Sequence, residues 1–492
     1  MGVLSLITFL PLVGAIALLV VPKDKPQLAR LLAVIFAGAS FIVSLWLWAN
    51  FNTGTSDFQF VEKFNWIPTF NIQYIMGVDG LSLVLVVLTT LLTLLSVIAS
   101  FNIENRVKEY FFFFLLLETG MIGVFLGLDL FLFYVFWELT LVPMYFLIGI
   151  WGGPKKEYAA IKFFLFTLFG SVFMLIALLA LYFNTTPHTF EYMEILKQSP
   201  SLAMGLQLWI FLGLYLGFSV KIPAFPFHTW LPLAHVEAPT AVSVILAGVL
   251  LKMGLYGLMR FSFTLLPLAT QKLAYPLAII ATINIVYGAF CSLAQTDIKR
   301  MIAYSSVNHM GYALLGIASL NVIGFSGAAL QMISHGIITG ALFLLVGVIY
   351  DRAHTRDVNA FGGLGTKLPV YTGIMTLACF ASLGLPLLAG FVSEFLCFLG
   401  SFQVVHYRYI TLISLLGILI TAAFFLIMIK KVFLGTFNTK WEKLTDMDTR
   451  ELVAVVPLCI LMVLFGILPS LLLSPMNATL THLVDLMKLT PP

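Results

Sequence analysis

Six ionisable side chains stand where ionisable side chains are expensive. Glu138 in "FYVFWELTLVPMYF", Lys221 in "GFSVKIPAFPFHTWLP" and Lys252 in "AGVLLKMGLYG" each lie deep in an apolar run. So do His309 in "SSVNHMGYALL", His335 in "QMISHGIITGALF" and Glu394 in "AGFVSEFLCFLG". A charge at the centre of a membrane helix costs about 2.5–3.5 kcal/mol on insertion scales, and such groups face each other or a water-filled cavity and mark ion or proton paths. Two carboxylates, two lysines and two imidazoles are proton-holding chemistry. Whether Lys221 keeps its proton depends on how close Glu138 comes, so this couple is a switchable proton store.

Each residue also has a plainer reading. A single histidine inside a membrane serves equally as a helix–helix hydrogen bond, and a structural ion pair is the lesser reading of Glu138 with Lys221. Glu118, in "FFFFLLLETGMIG", is a seventh candidate without an evident partner. Asp79 and Asp129 fall at helix ends, where the plainer, structural reading is preferred. The array is more telling than its members: four to six titratable groups at one depth on successive helices form a lateral polar chain.

The elements that must hold this chain are membrane helices. Of 492 residues, 61% are hydrophobic and 10% charged, against about 25% charged in soluble domains. A crossing takes about 20 apolar residues, and the sequence divides into about fourteen such segments: an all-α polytopic membrane protein. Residues 1–101 hold the first three helices, 108–262 the fourth to eighth, 273–435 the ninth to thirteenth and 450–476 the last, in one membrane domain over 1–492. The seventh, ninth, tenth, twelfth and fourteenth segments lie near 205–231, 273–295, 301–319, 370–401 and 452–475. With the N-terminus outside, eighteen Lys and Arg, Lys299 among them, fall on the inner side and six, Arg260 among them, on the outer. That asymmetry satisfies the positive-inside rule with both termini outside. The first apolar run carries its basic residues after it, and so reads as a retained helix, not a cleaved signal.

Two of these helices are expected to be broken. Pro223 and Pro226 lack amide hydrogens and free the carbonyls of Ser219 and Ile222, which the membrane tolerates only where protein or water satisfies them. The seventh helix therefore breaks just beyond Lys221, with water reaching the break. Gly384, Pro386 and Gly390 in "SLGLPLLAGFVSEF" break the twelfth ahead of Glu394. Broken helices at matching places in two halves mark inverted-repeat transporters, here helices 4–8 and 9–13. A plain kink explains the prolines but not the adjacent charges.

Other classes find no support. Cys291, Cys379, Cys397 and Cys459 show no paired spacing, so neither a disulfide framework nor a metal site is expected. The longest loops, near 51–77 and 184–204, are too short for a soluble domain, and a net charge of +4 says nothing of nucleic acid.

At the motifs themselves the sequence resembles a known family. "FWELTLVPMYFLIGIWGG", "KIPAFPFHTWLPLAHVEAPTAVSVILAGVLLK" and "AQTDIKRMIAYSSVNHMGYALLGI" look like the proton-translocating antiporter-like subunits of NADH:quinone oxidoreductase, respiratory complex I. The resemblance runs from about residue 75 to 435. It implies that Glu138, Lys221, Lys252 and Glu394 are the family's proton-carrying residues, that His309 and His335 belong to its central polar chain, and that His228 and His235 lie on the path towards the inner face. Glu394 stands where most relatives carry lysine, which separates this chain from the L and N branches. The resemblance further implies no cofactor on this chain, with NADH, FMN, iron–sulfur clusters and quinone in partner subunits. It places L- and N-type subunits on either side, in an energy-coupling membrane such as the bacterial inner membrane. A subunit of a multisubunit cation/proton antiporter or of a membrane-bound hydrogenase shares the architecture and is the alternative. A purely structural scaffold has no reason to bury two lysines and two glutamates at one depth.

Overall fold

The computed structural model describes residues 2–488. In chain order its helices are α1 (Val3–Val20), α2 (Pro26–Ala49), α3 (Gly80–Asn102), α4 (Val107–Leu126), α5 (Leu130–Trp151), α6 (Lys156–Phe183) and α7 (Met204–Lys221). There follow a short α8 (Leu231–Glu237), then α9 (Thr240–Leu265), α10 (Pro267–Leu293), α11 (Ile298–Ala318) and α12 (Val322–Ala353). The last are α13 (Pro369–Ser382), α14 (Ala389–Gln403), α15 (Val405–Phe433), α16 (Thr449–Ile467) and α17 (Ser470–Leu486). Twelve helices among the described residues are long and apolar enough to cross a membrane. The polar stretch in α11 and the two short pieces α13 and α14 account for the other two segments read from the sequence.

The helices sort by burial. The apolar spans of α9 and α12 are enclosed, whereas those of α2, α6, α15 and α16 are for the most part partly or fully uncovered, turning side chains such as Ile42, Phe169, Leu419 and Ile460 outward. In hydrocarbon no penalty attaches to an apolar outer face, so the centre is distinguished by where the polar groups go.

Both expected breaks are present. α7 ends at Lys221, and the chain runs irregularly until α8 begins at Leu231, so the seventh segment extends to Glu237, beyond the expected limit. Protein donors meet carbonyls at the break: Ser219 accepts from the Ala224 amide at 2.8 Å, Val220 from the Trp230 indole at 2.9 Å and Pro223 from the Asn284 amide at 3.2 Å. The twelfth segment divides into α13 and α14 across residues 383–388.

Several elements differ from the reading of the sequence. The 51–77 loop contains an antiparallel hairpin, β1 (Gln59–Ile67) and β2 (Ile72–Val78). Glu62 of β1 caps α1, accepting from the amides of Leu4 at 2.8 Å and Ser5 at 3.1 Å, where a carboxylate also meets the positive end of the helix dipole. The final apolar run is two helices joined at Leu468–Pro469, and α17 packs on α3 so closely that a Cβ on Gly80 would overlap the Pro475 carbonyl. α10 begins at Pro267, and α11 begins early enough to take in Lys299, which is buried.

Arg260, assigned to the outer loops by its position, is enclosed within α9 and paired with Asp79. Asp79 also caps α3 through the Ser82 amide, and the Arg260 guanidinium lies over the Phe58 and Tyr256 rings at 5.1 and 5.6 Å. The pair ties α9 to α3 and to the approach of the hairpin. Removing one member of a buried pair costs about 3–5 kcal/mol. Asp79→Asn is therefore expected to lower the thermal unfolding midpoint and the amount of assembled subunit in membranes; unchanged assembly and stability would contradict a clamp at this point.

Candidate functional site

Lys252 owes its position to an irregularity in α9. Leu246–Leu250 form a π-helical turn just before it, and a second one, Leu258–Ser262, follows. A π turn displaces the i→i−4 ladder and leaves carbonyls free to accept elsewhere. Here the Ala247 carbonyl accepts from the Lys252 ammonium. The same Nζ lies 2.7 Å from Nδ1 of His335 on α12.

From His335 the polar groups continue sideways. The His335 and His309 rings are 5.5 Å apart between centroids. Nε2 of His309, on α11, donates to the carbonyl of Ser382, the last residue of α13, at 3.0 Å, and lies 3.9 Å from Glu394 Oε1 on α14. Lys252, His335, His309 and Glu394 thus form one file across four helices. A cavity of about 10 Å³ opens between His309, Gln331, His335, Ser382 and Glu394, about the room one water occupies. Such a water would have several polar partners and would bridge the 3.9 Å gap.

The helix break serves this file directly. Ending α13 at Ser382 presents a carbonyl to His309. Gly384, at φ +76°, lies so close to Glu394 that a Cβ there would be 2.7 Å from Oε2. Gln331, which reading the sequence missed, stands one helical turn before His335, and its Oε1 accepts from Ser393 at 2.5 Å. Its signal was a polar residue at i−4 from a histidine in an otherwise apolar helix.

The other sequence-selected residues stand apart. Lys221 is buried with no hydrogen-bond partner for its ammonium, which lies over the Trp137 and Phe163 rings at 5.4 and 5.7 Å, a cation–π arrangement. It makes no ion pair with Glu138, so the structural ion-pair reading is set aside; Glu138 is half-buried on α5 beside Trp137. His228 sits in the break of the seventh segment, its ring 5.2 Å from that of Tyr287. His235, on α8, is fully enclosed and stacked on Phe343 at 4.5 Å, with neither ring nitrogen partnered. Glu118, on α4, is as enclosed as any of the six, and both its carboxylate oxygens lack a partner. Among the described residues no cluster of His, Cys, Asp and Glu is placed to hold a metal.

Residues 6–126 match the profile of the amino terminus of NADH-ubiquinone oxidoreductase chain 4, and residues 127–421 that of the NADH:quinone oxidoreductase/Mrp antiporter transmembrane family. NADH-quinone oxidoreductase subunit M of Rhodobacter capsulatus is 44% identical over 98% of this chain and 96% of its own length. The chain belongs to the subunit M family. A chain of respiratory complex I from Thermus thermophilus with bound NADH is similar at 29% identity with a TM-score of 0.90, covering 99% of this chain and all of that one. A chain of the Mrp complex from Dietzia sp. DQ12-45-1b shares the fold, with a TM-score of 0.85 at 19% identity over 99% of this chain and 98% of its own. Subunit M membership accounts for the multi-pass membrane fold.

The Gly384 contact yields a test. A Cβ in the left-handed region costs about 1–2 kcal/mol and here also presses on Glu394. Gly384→Ala is expected to displace that carboxylate, read as a shift of its infrared carboxyl band, with a modest loss of thermal stability; an unmoved band would mean that the loop yields and the carboxylate does not depend on it.

Proposed function

We propose that this chain is a proton-translocating subunit of the membrane arm of NADH:quinone oxidoreductase, passing protons along the midplane file while partner subunits move electrons from NADH to quinone. The observation that carries this reading is the contact between the Lys252 ammonium and His335, continued through His309 to Glu394. A lysine, two imidazoles and a carboxylate within reach of one another, enclosed from lipid, are suited to moving a proton and have no evident structural task that apolar residues would not do better.

In this reading protons come from the inner face by way of His228 and His235, load Lys221 and Lys252, cross His335 and His309, and leave through Glu394. Lys221 holds a charge between aromatic faces and responds to Glu138 across a distance too long for a direct pair. The chain's share in the enzyme is translocation. NADH, FMN, iron–sulfur clusters and quinone belong to partner subunits. Helices 4–8 and 9–13 of the sequence count form two inverted repeats, with the breaks beside Lys221 and ahead of Glu394 at matching places. Both termini face outward, the membrane is a bacterial inner membrane, and L- and N-type subunits flank the chain.

The energetics are of a reasonable size. Moving one charge against 100 mV takes about 2.3 kcal/mol, and one unit of pKa corresponds to about 1.36 kcal/mol. A change of about two units between conformational states therefore suffices for each proton. The Mrp-like fold keeps a cation/proton antiporter as the second reading; subunit M relatives that match end to end favour the oxidoreductase.

Lys221→Ala in the intact complex is the direct test, with proton pumping and electron transfer measured together in membrane vesicles. Loss of both with assembly retained is the expected result. Normal pumping by the assembled variant would reduce Lys221 to a packing residue.

A further inference from the structure

A second cavity lies away from the midplane file. About 350 Å³ in volume, it opens between the ends of α3, α5, α8, α9, α12 and α16, on the side where the sequence places most basic residues. Polar groups converge there. Lys299, on α11, lines the cavity although 95% of its surface is covered, and its ammonium donates to the carbonyl of Ala238 at 2.5 Å and, more weakly, to that of Val236 at 3.5 Å. Arg356 donates to the same Val236 carbonyl at 3.0 Å and pairs with Asp297 at 3.1 Å. Two cations thus meet the carbonyl end of α8, where the helix dipole favours positive charge.

α8 also carries His235. The ring has no hydrogen-bond partner on either nitrogen and no exposure. Lys299 holds the carbonyl of the adjoining Val236, and the His235 ring stacks on Phe343 of α12, the helix that carries His335. The half-helix therefore lies between the cavity and the midplane file, with a buried lysine at its open end and an unpartnered imidazole one turn inside.

We propose that Lys299 is the intake carrier of the file, taking protons from the water of this vestibule and handing them to His235. The inference rests on the translocation reading above and deepens it. The step is an exchange without redox change. Lys299 ammonium gives one proton to a ring nitrogen of neutral His235, leaving an amine and an imidazolium. A hydronium from the vestibule then restores the ammonium and is left as water. Other charged groups facing Lys299 are Glu237 on α8, Asp351 at the end of α12, Asp297 on its own helix and Arg356, and they set its charge balance.

Arginine separates a carrier from a brace. It keeps the charge and the donors that hold the Val236 and Ala238 carbonyls but does not give up its proton. Lys299→Arg and Lys299→His are to be compared with the parent and with Lys252→Met in the intact complex, measuring vesicle acidification during NADH-driven electron transfer across a range of pH. The expected result is loss of pumping in Lys299→Arg, while Lys299→His pumps with a pH profile moved towards the imidazole range, about 6.5. Parent-like pumping in Lys299→Arg, or an unmoved profile in Lys299→His, overturns the proposal and leaves Lys299 as a brace for α8. If Lys252→Met pumps normally, the translocation reading itself fails; if Lys252→Met is inactive while Lys299→Arg pumps, only the intake assignment fails.

Discussion

A polar group inside a membrane has no bulk water to fall back on, and the contact between Lys252 and His335 shows how this chain answers that constraint. The ammonium is held by one imidazole nitrogen and one backbone carbonyl, and neither is a formal counter-ion. The two helices that provide them, α9 and α12, are the two most completely enclosed. Everything around them follows from keeping that contact dry on the lipid side and polar along its own line: outer helices with apolar faces, inner helices with irregular backbones.

Backbone irregularity is concentrated where the ionisable groups are. The π turn supplies the Ala247 carbonyl to Lys252, the end of α13 supplies the Ser382 carbonyl to His309, and the end of α8 supplies the Val236 and Ala238 carbonyls to Lys299. Freed carbonyls would be a cost in lipid. Enclosed, they are the fixed dipoles that let a lysine or a neutral histidine stay where an isolated charge is unfavourable. Lys221 is handled differently, by aromatic faces, which leaves its charge less tightly committed to any one direction.

Much of this was legible in the residues themselves. Glu138, Lys221, Lys252 and Glu394 stand out because a charge in an apolar run is costly on any scale, and Pro223, Pro226 and Gly384 announce breaks through their own covalent chemistry. What was not legible depended on partners far away in sequence. Arg260 reads as a loop residue because its spacing from the apolar run fits an exit, and only Asp79, 181 positions earlier, explains its burial. Lys299 likewise reads as inner-face charge until α8 is seen folded against it. The hairpin in the 51–77 loop was missed because length alone excluded a domain but said nothing of a two-stranded brace, and α17 because Leu468–Pro469 interrupts a hydropathy that does not fall. The contact order of the file, lysine to imidazole to imidazole to carboxylate, cannot be deduced from depth alone.

The π turn ahead of Lys252 has an evolutionary side. Such a turn holds one residue more than the regular helix needs, and each residue advances the helix by about 100°. The azimuth of Lys252, and with it the meeting with His335, is thus set by what amounts to a single-residue insertion absorbed without lengthening the crossing. Deleting one residue from Leu246–Leu250 would leave a smoother helix of nearly the same height, with its lysine swung away from the file. Sequence spacing within α9 is consequently a heritable setting of side-chain direction, and gaps or insertions there carry more meaning than substitutions of one apolar residue for another.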